Sequence, residues 1–143
     1  MKNRSKQLPR QVRIIGGDWK RTPLPVPEIE GLRPTPDRVR ETVFNWLEHL
    51  KPANWSQLSC LDLFAGSGAV GVEALSRGAA LVEAIESNSV SAQVCEDNFA
   101  LISKLEGVGK FKVHAKTVFE FLNHTASKPY EIIYIDPPYE VDN

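Results

Sequence analysis

From residue 58 onward, four short apolar runs alternate with stretches of helical character, and this alternation restricts the chain to a parallel α/β sheet. The runs are Cys60 to Phe64, Leu81 to Glu86, Phe111 to Ala115 and Tyr130 to Asp136. Parallel neighbours cannot be joined by a tight turn, so each pair needs a long crossover. The segments between the runs provide it, as helices predicted from Ala69 to Arg77 and from Ser89 to Leu105, closed at Gly78 and near Gly107, and a shorter one from Thr117 to Asn123. With 143 residues, 42% of them hydrophobic, the chain suffices for one real core.

Upstream the pattern differs. Val12-Arg13-Ile14-Ile15 and Trp19 to Val26 flank Gly16-Gly17-Asp18, which reads as a β-hairpin arm with a glycine turn. Thr35-Pro36-Asp37 then opens a helix: Thr35 can cap it, Pro36 suits its first position and Asp37 favours the positive end of its dipole. Val39, Val43, Trp46, Leu47 and Leu50 recur at helical spacing, so this face, Trp46 included, is expected to be core.

The net charge of -1 conceals a strong asymmetry. Residues 1–40 hold ten Lys or Arg against four acids, and the remainder holds seven against fourteen. A basic arm on an acidic body fits a polyanionic partner, although a solvated tail explains it equally well. Neither the spacing of Cys60 and Cys95 nor any other cluster reads as a metal site or a disulfide framework. No apolar run approaches the roughly 20 residues of a membrane helix, and no secretory signal opens the chain, so no membrane partner and a cytoplasmic location are expected.

Two motifs carry chemistry. Leu61-Asp62-Leu63-Phe64-Ala65-Gly66-Ser67-Gly68 places glycines where a strand turns into a helix, so that backbone amides can approach a ligand closely. Gly66, Gly68 and Gly71 satisfy G-x-G-x-x-G, and Glu86 lies twenty residues after Gly66 at the next strand's end, where an acid binds ribose hydroxyls. A dinucleotide fits this pattern as well. Asp62 tilts the reading, because a carboxylate there can meet the α-ammonium of a methionine moiety but would repel a pyrophosphate.

Asp136-Pro137-Pro138-Tyr139 is the more specific signal, set at the carboxyl end of the run Glu131-Ile132-Ile133-Tyr134-Ile135. An amine conjugated to a base is a poor nucleophile, since its lone pair is delocalised into the ring. Two acceptors aimed at its protons, the Asp136 carboxylate and the Pro137 carbonyl, localise that lone pair toward a methyl donor. The paired prolines stiffen the turn, and Tyr139 offers a face for the base. A plain proline turn capped by Asp136 is the bland alternative.

With these motifs in hand, the chain is similar to the bacterial 16S ribosomal RNA guanine-N2 methyltransferases of the RsmD type from about Arg13 to Tyr139. The glycine loop and the Asp-Pro-Pro-Tyr turn are shared by many amino-methyltransferases. The distinctive strings are Arg13-Ile14-Ile15-Gly16-Gly17, Leu32-Arg33-Pro34-Thr35, Arg38-Val39-Arg40-Glu41-Thr42-Val43-Phe44-Asn45-Trp46 and Glu73-Ala74-Leu75-Ser76-Arg77. The resemblance implies a Rossmann-like class I methyltransferase fold using S-adenosyl-L-methionine, with 16S RNA in a small ribosomal subunit or its precursor as partner and a monomeric protein. It implies that Asp62, Gly66 and Gly68 hold the methionine part, Glu86 the ribose, and His114-Ala115 the adenine, with Phe64 also a cofactor-binding residue. Asp136, Pro137, Pro138 and Tyr139 would hold the guanine, and Arg10, Arg13, Lys20, Arg21, Arg33, Arg38 and Arg40 are candidates for RNA contact.

That fold orders seven strands 3-2-1-4-5-7-6, whereas this chain has only the 3-2-1-4 part. Residues 1–34 are therefore expected to form the basic arm and 35–143 an incomplete methyltransferase domain, truncated after its fourth strand, whose edge carries Ile132, Ile133 and Ile135. A nucleotide-dependent oxidoreductase and an RNA-binding remnant with a vestigial cofactor site are the rival readings.

Overall fold

The computed structural model describes residues 11–25, 36–50, 55–104, 108–123 and 129–137. Two short strands, β1 (Gln11–Arg13) and β2 (Pro23–Pro25), pair antiparallel as the expected hairpin, and helix α1 (Asp37–Leu50) follows. The main unit runs β3 (Ser59–Asp62), α2 (Ala69–Ser76), β4 (Leu81–Ile85), α3 (Ser89–Ser103), β5 (Lys110–His114), α4 (Val118–Leu122) and β6 (Ile132–Tyr134). Its four strands are all parallel, in the order β5-β4-β3-β6. This is the order 3-2-1-4 that the sequence led us to expect.

Strand alternation sorts the core into two layers. Cys60, Val82, Ala84 and Ile132 face a large cluster that includes Val72, Leu75, Phe99 and Ile102 from α2 and α3. Leu61, Leu63 and Ile85 face the other way, against Val118 and Phe121 of α4 and against Tyr130. The chain steps outward from β3 to β5 with its crossovers on one face, then returns to β6 with α4 on the opposite face. The reversal of direction between β3 and β6 makes a crevice at the strands' carboxyl ends, where ligands bind in open α/β sheets.

The hairpin is fastened to α2 by Glu73 and Ser76. Glu73, fully buried in the largely apolar helix Ala69–Ser76, accepts the amides of Ile15 at 2.8 Å and Gly16 at 2.9 Å. Its two oxygens also receive Arg40 Nη1 at 3.4 Å and Arg77 Nε at 3.0 Å. The hydroxyl of Ser76 donates to the Gly16 carbonyl at 2.6 Å, and the Trp19 amide donates back to it at 3.0 Å. Gly17, at φ 77°, approaches the Ser76 carbonyl so closely that a Cβ there would lie 1.9 Å from its oxygen. The glycine pair therefore serves docking as much as turning.

Helix α1 corrects the periodicity argument. Trp46 is 64% exposed, and Val39 and Leu50 are exposed too, while Arg40 and Phe44 are buried. The Arg40 guanidinium is held by Glu73 and Asp37, Phe44 stacks on Trp55 at 5.8 Å, and Arg77 lies 5.0 Å over the Phe44 ring. Satisfying a buried charge fixes the helix rotation more strongly than the count of apolar side chains does. At the sheet edge Ile132 is buried, whereas Ile133 and Ile135 are exposed.

Replacing Glu73 by Ala would strand two guanidinium groups and two amides around an apolar gap, so Glu73→Ala should cost about 3–5 kcal/mol in urea unfolding. Tyr134 carries a buried hydroxyl that has no partner among the described residues. Tyr134→Phe should therefore be neutral or stabilising by up to about 1 kcal/mol in the same assay.

Candidate functional site

Register sets the height of the candidate residues. Asp62 lies opposite Ala84 on β4 and Tyr134 on β6, so Glu86 and Asp136 each stand two residues further along the flanking chains, at the rim of the crevice. Asp62 is 4% exposed and points toward the α2 and α3 side, as alternation from Cys60 requires. Its Oδ1 accepts the Phe64 amide at 3.2 Å. Burial pushes its carboxyl up to about 7, against the Phe64 hydrogen bond, and the charges of Asp136 and Glu86 push the same way.

The glycine loop is closed by three contacts. Glu86 accepts the Gly66 amide at 2.9 Å with one carboxylate oxygen and the Asn88 amide at 2.8 Å with the other. Gly68 stands at the start of α2 with φ 87°, and a Cβ there would lie 2.9 Å from the Cys95 sulfur. Asn98, fully buried on α3, donates to the Ser67 carbonyl at 2.8 Å. Burial raises the Cys95 thiol well above its usual range, and the negative charges of Asp62, Glu86 and Glu96 add to that, so it is an inert packing group beneath the loop.

The remaining predicted residues divide. Phe64 is half-buried and Gly66 sits at the loop's crest with φ 57°. Asp136 and Pro137 are exposed at the rim, while Pro138 and Tyr139 lie outside the described residues. His114 projects to the opposite face of the sheet, where its Nε2 lies 3.1 Å from Glu83 and its ring 5.2 Å from Phe121. Its backbone carbonyl accepts the Glu86 amide at 3.0 Å, and Ala115 is exposed beside it. An adenine contact at this point would thus be a backbone or Ala115 contact.

Among the basic residues, Arg13, Lys20, Arg21 and Arg38 are exposed, and Arg10 and Arg33 lie outside the described residues. Arg40 is a correction: at 1% exposure its charge is spent on Glu73 and Asp37 and is not offered to phosphate. Lys20 and Arg21 sit at the hairpin turn, which is bonded to Ser76 at the end of α2. That end is about 12 Å from the glycine loop, given the rise of an eight-residue helix.

Sequence reasoning missed Glu73 and Asn98. Each is a polar side chain embedded among apolar neighbours on a helix, Glu73 between Val72 and Ala74, Asn98 beside Phe99 and one turn from Cys95. Such a break in an apolar face was the available signal.

The parallel order with its switch point defines a Rossmann-like sheet, and its superposition on solved methyltransferase structures makes it a class I methyltransferase fold. The chain belongs to the RsmD-type family, whose matching model, described as Conserved hypothetical protein 95, spans residues 12–143. Ribosomal RNA small subunit methyltransferase D of Escherichia coli (strain K12) is 44% identical over 129 residues, covering 90% of this chain and 61% of that protein. The protein of the same name from Haemophilus influenzae is 39% identical over 130 residues, 90% of this chain and 64% of its own length. A solved structure of Escherichia coli yhhF superposes with a TM-score of 0.73 at 40% identity, covering 91% of this chain and 65% of that one. The chain therefore spans about three fifths of the length of the curated relatives it matches.

Asn98→Ala would release the Ser67 carbonyl inside the protein. A loss of about 1–3 kcal/mol is expected, with faster hydrogen exchange at the Gly66 and Gly68 amides than at β4 amides.

Proposed function

We propose that the chain is the cofactor-binding part of an S-adenosyl-L-methionine-dependent enzyme that methylates N2 of a guanine in 16S rRNA. The observation that carries this reading is the alignment of Asp62, Glu86 and Asp136 at the carboxyl ends of three adjacent strands. The donor set fits the cofactor: a buried carboxylate suits an ammonium, and a carboxylate at the second strand's end suits ribose hydroxyls. A pyrophosphate would meet the carboxylates of Glu86 and Asp136 beside Asp62. That the relatives are ribosomal RNA small subunit methyltransferases supports the RNA class.

When bound, S-adenosyl-L-methionine supplies an electrophilic methyl group. The protein's own work is positioning. Asp62 orients the amino-acid end from beneath the loop, and Glu86 takes the ribose while pinning Gly66. Asp136 accepts one proton of the guanine amine, and the Pro137 carbonyl accepts the other. The lone pair is thereby aimed at the methyl donor, and Tyr139 stacks on the base with Pro138 stiffening the turn. After transfer the nitrogen is cationic and sheds its proton readily, so no strong base is needed. Rate enhancement comes from orientation and from negative charge beside the developing cation.

On this reading residues 1–34 form a basic arm and 35–143 the methyltransferase unit, working as a monomer on a small ribosomal subunit or its precursor in the cytoplasm. Arg13, Lys20, Arg21 and Arg38 are the exposed cations that would meet phosphate, together with Arg10 and Arg33. No helix among the described residues is long and apolar enough to cross a membrane.

The test separates binding from chemistry. In the protein extended to its relatives' full length, Asp136→Ala should lower methyl transfer to 16S RNA by at least about 100-fold. Its affinity for S-adenosyl-L-methionine by calorimetry should stay within about threefold. Unchanged transfer would overturn the role of Asp136, and absence of cofactor binding by the unsubstituted protein would overturn the reading itself.

A further inference from the structure

Asp62 stands in an electrostatic setting that the cofactor site alone does not explain. It is buried at the end of β3, on the side that α2 and α3 cover, and groups from the strand ends and from α3 surround it. From its own chain comes the Phe64 amide; from the ends of β4 and β6 come the carboxylates of Glu86 and Asp136. The Cys95 thiol of α3 and the Tyr134 hydroxyl of β6 both feel its charge and are themselves raised, chiefly by burial. The charged groups of α2 and its end, Glu73 and Arg77, are paired with each other at 3.0 Å. Among the described residues, an ionised Asp62 thus faces like charge on both flanking strands, against the Phe64 amide at 3.2 Å.

We propose that Asp62 is protonated in the ligand-free protein near neutral pH and releases that proton to solvent when the cofactor's ammonium group arrives, so that pH sets cofactor affinity. This rests on the reading that S-adenosyl-L-methionine binds at Asp62. The balance is simple: the carboxyl O–H bond breaks, the proton passes to buffer, and the resulting carboxylate accepts a hydrogen bond from the ammonium. Burial holds the ligand-free carboxyl up at about 7, which places the transition in the physiological range. An ammonium brought to the same buried position favours the charged form and reverses the preference.

The sign follows from linkage. The ligand-free state binds the extra proton, so affinity falls as pH drops through about 7, by about tenfold between pH 8 and pH 6. The same raised carboxyl makes the ligand-free protein lose stability as pH rises from about 4 through about 7, since the unfolded chain has already released the proton.

Calorimetry with S-adenosylhomocysteine tests the inference, because this product keeps the ammonium and lacks the sulfonium charge. Titrations at pH 6, 7 and 8, each in two buffers of different ionisation enthalpy, are expected to show the tenfold change and release of about half a proton at pH 7. Asp62→Asn should bind more weakly, with flat affinity and no proton release. Carbon-13 detection of the Asp62 carboxyl in the ligand-free wild-type protein gives a second readout, with a midpoint expected near 7. Binding without pH dependence or proton release, a carboxyl midpoint near 4, or a pH dependence that survives in Asp62→Asn would each overturn the inference while leaving the site intact. No binding at any pH would instead overturn the proposed cofactor reading.

Discussion

The buried carboxylate of Glu73 is the constraint on which the arrangement depends. One side chain in the middle of α2 satisfies two hairpin amides and two arginines, one of them from α1. Hairpin, first helix and cofactor-loop helix therefore meet at a single charge. An ion that is fully buried is tolerated only when its acceptor positions are filled, and here each oxygen receives one amide and one guanidinium. Because α2 begins at Gly68, the element that frames the cofactor loop at one end carries the basic hairpin at the other.

The sheet was legible because its signal is redundant. Apolar runs, crossover lengths and the closing Gly78 all point to the same βαβ pattern, and observed strand limits lie within two residues of the expected ones. Asn88, which caps α3 by accepting the Val90 and Ser91 amides at 3.0 Å, confirms the expected start of that helix. Helix α1 was misread for a physical reason. Its apolar stripe through Val39, Trp46 and Leu50 is a stronger periodic signal than Arg40 and Phe44, yet only the latter pair has a buried charge and an aromatic partner to meet. Periodicity records which face is apolar and is blind to a distant carboxylate that fixes the rotation.

The candidate site was legible to a similar depth. Asp62, Glu86 and Asp136 could be read from motif spacing because strand ends in a parallel sheet fall side by side. His114 was placed at the right strand end, but the alternation that sends Val113 to one face sends its ring to the other, against Glu83. Arg40 was indistinguishable in sequence from the exposed cations around it. Glu73 and Asn98, which hold the hairpin and the loop in place, were visible only as polar interruptions of apolar faces, and their partners lie far away in sequence.

The central claim is that the crevice at the ends of β3, β4 and β6 holds the methyl donor by its two polar ends. A crystal structure of the chain soaked with S-adenosylhomocysteine tests this directly. The account predicts the amino group within hydrogen-bond distance of the Asp62 carboxylate and the ribose hydroxyls on Glu86, with the Asn98 contact to Ser67 preserved. Ligand density elsewhere on the protein, or in the crevice with neither carboxylate engaged, would contradict it.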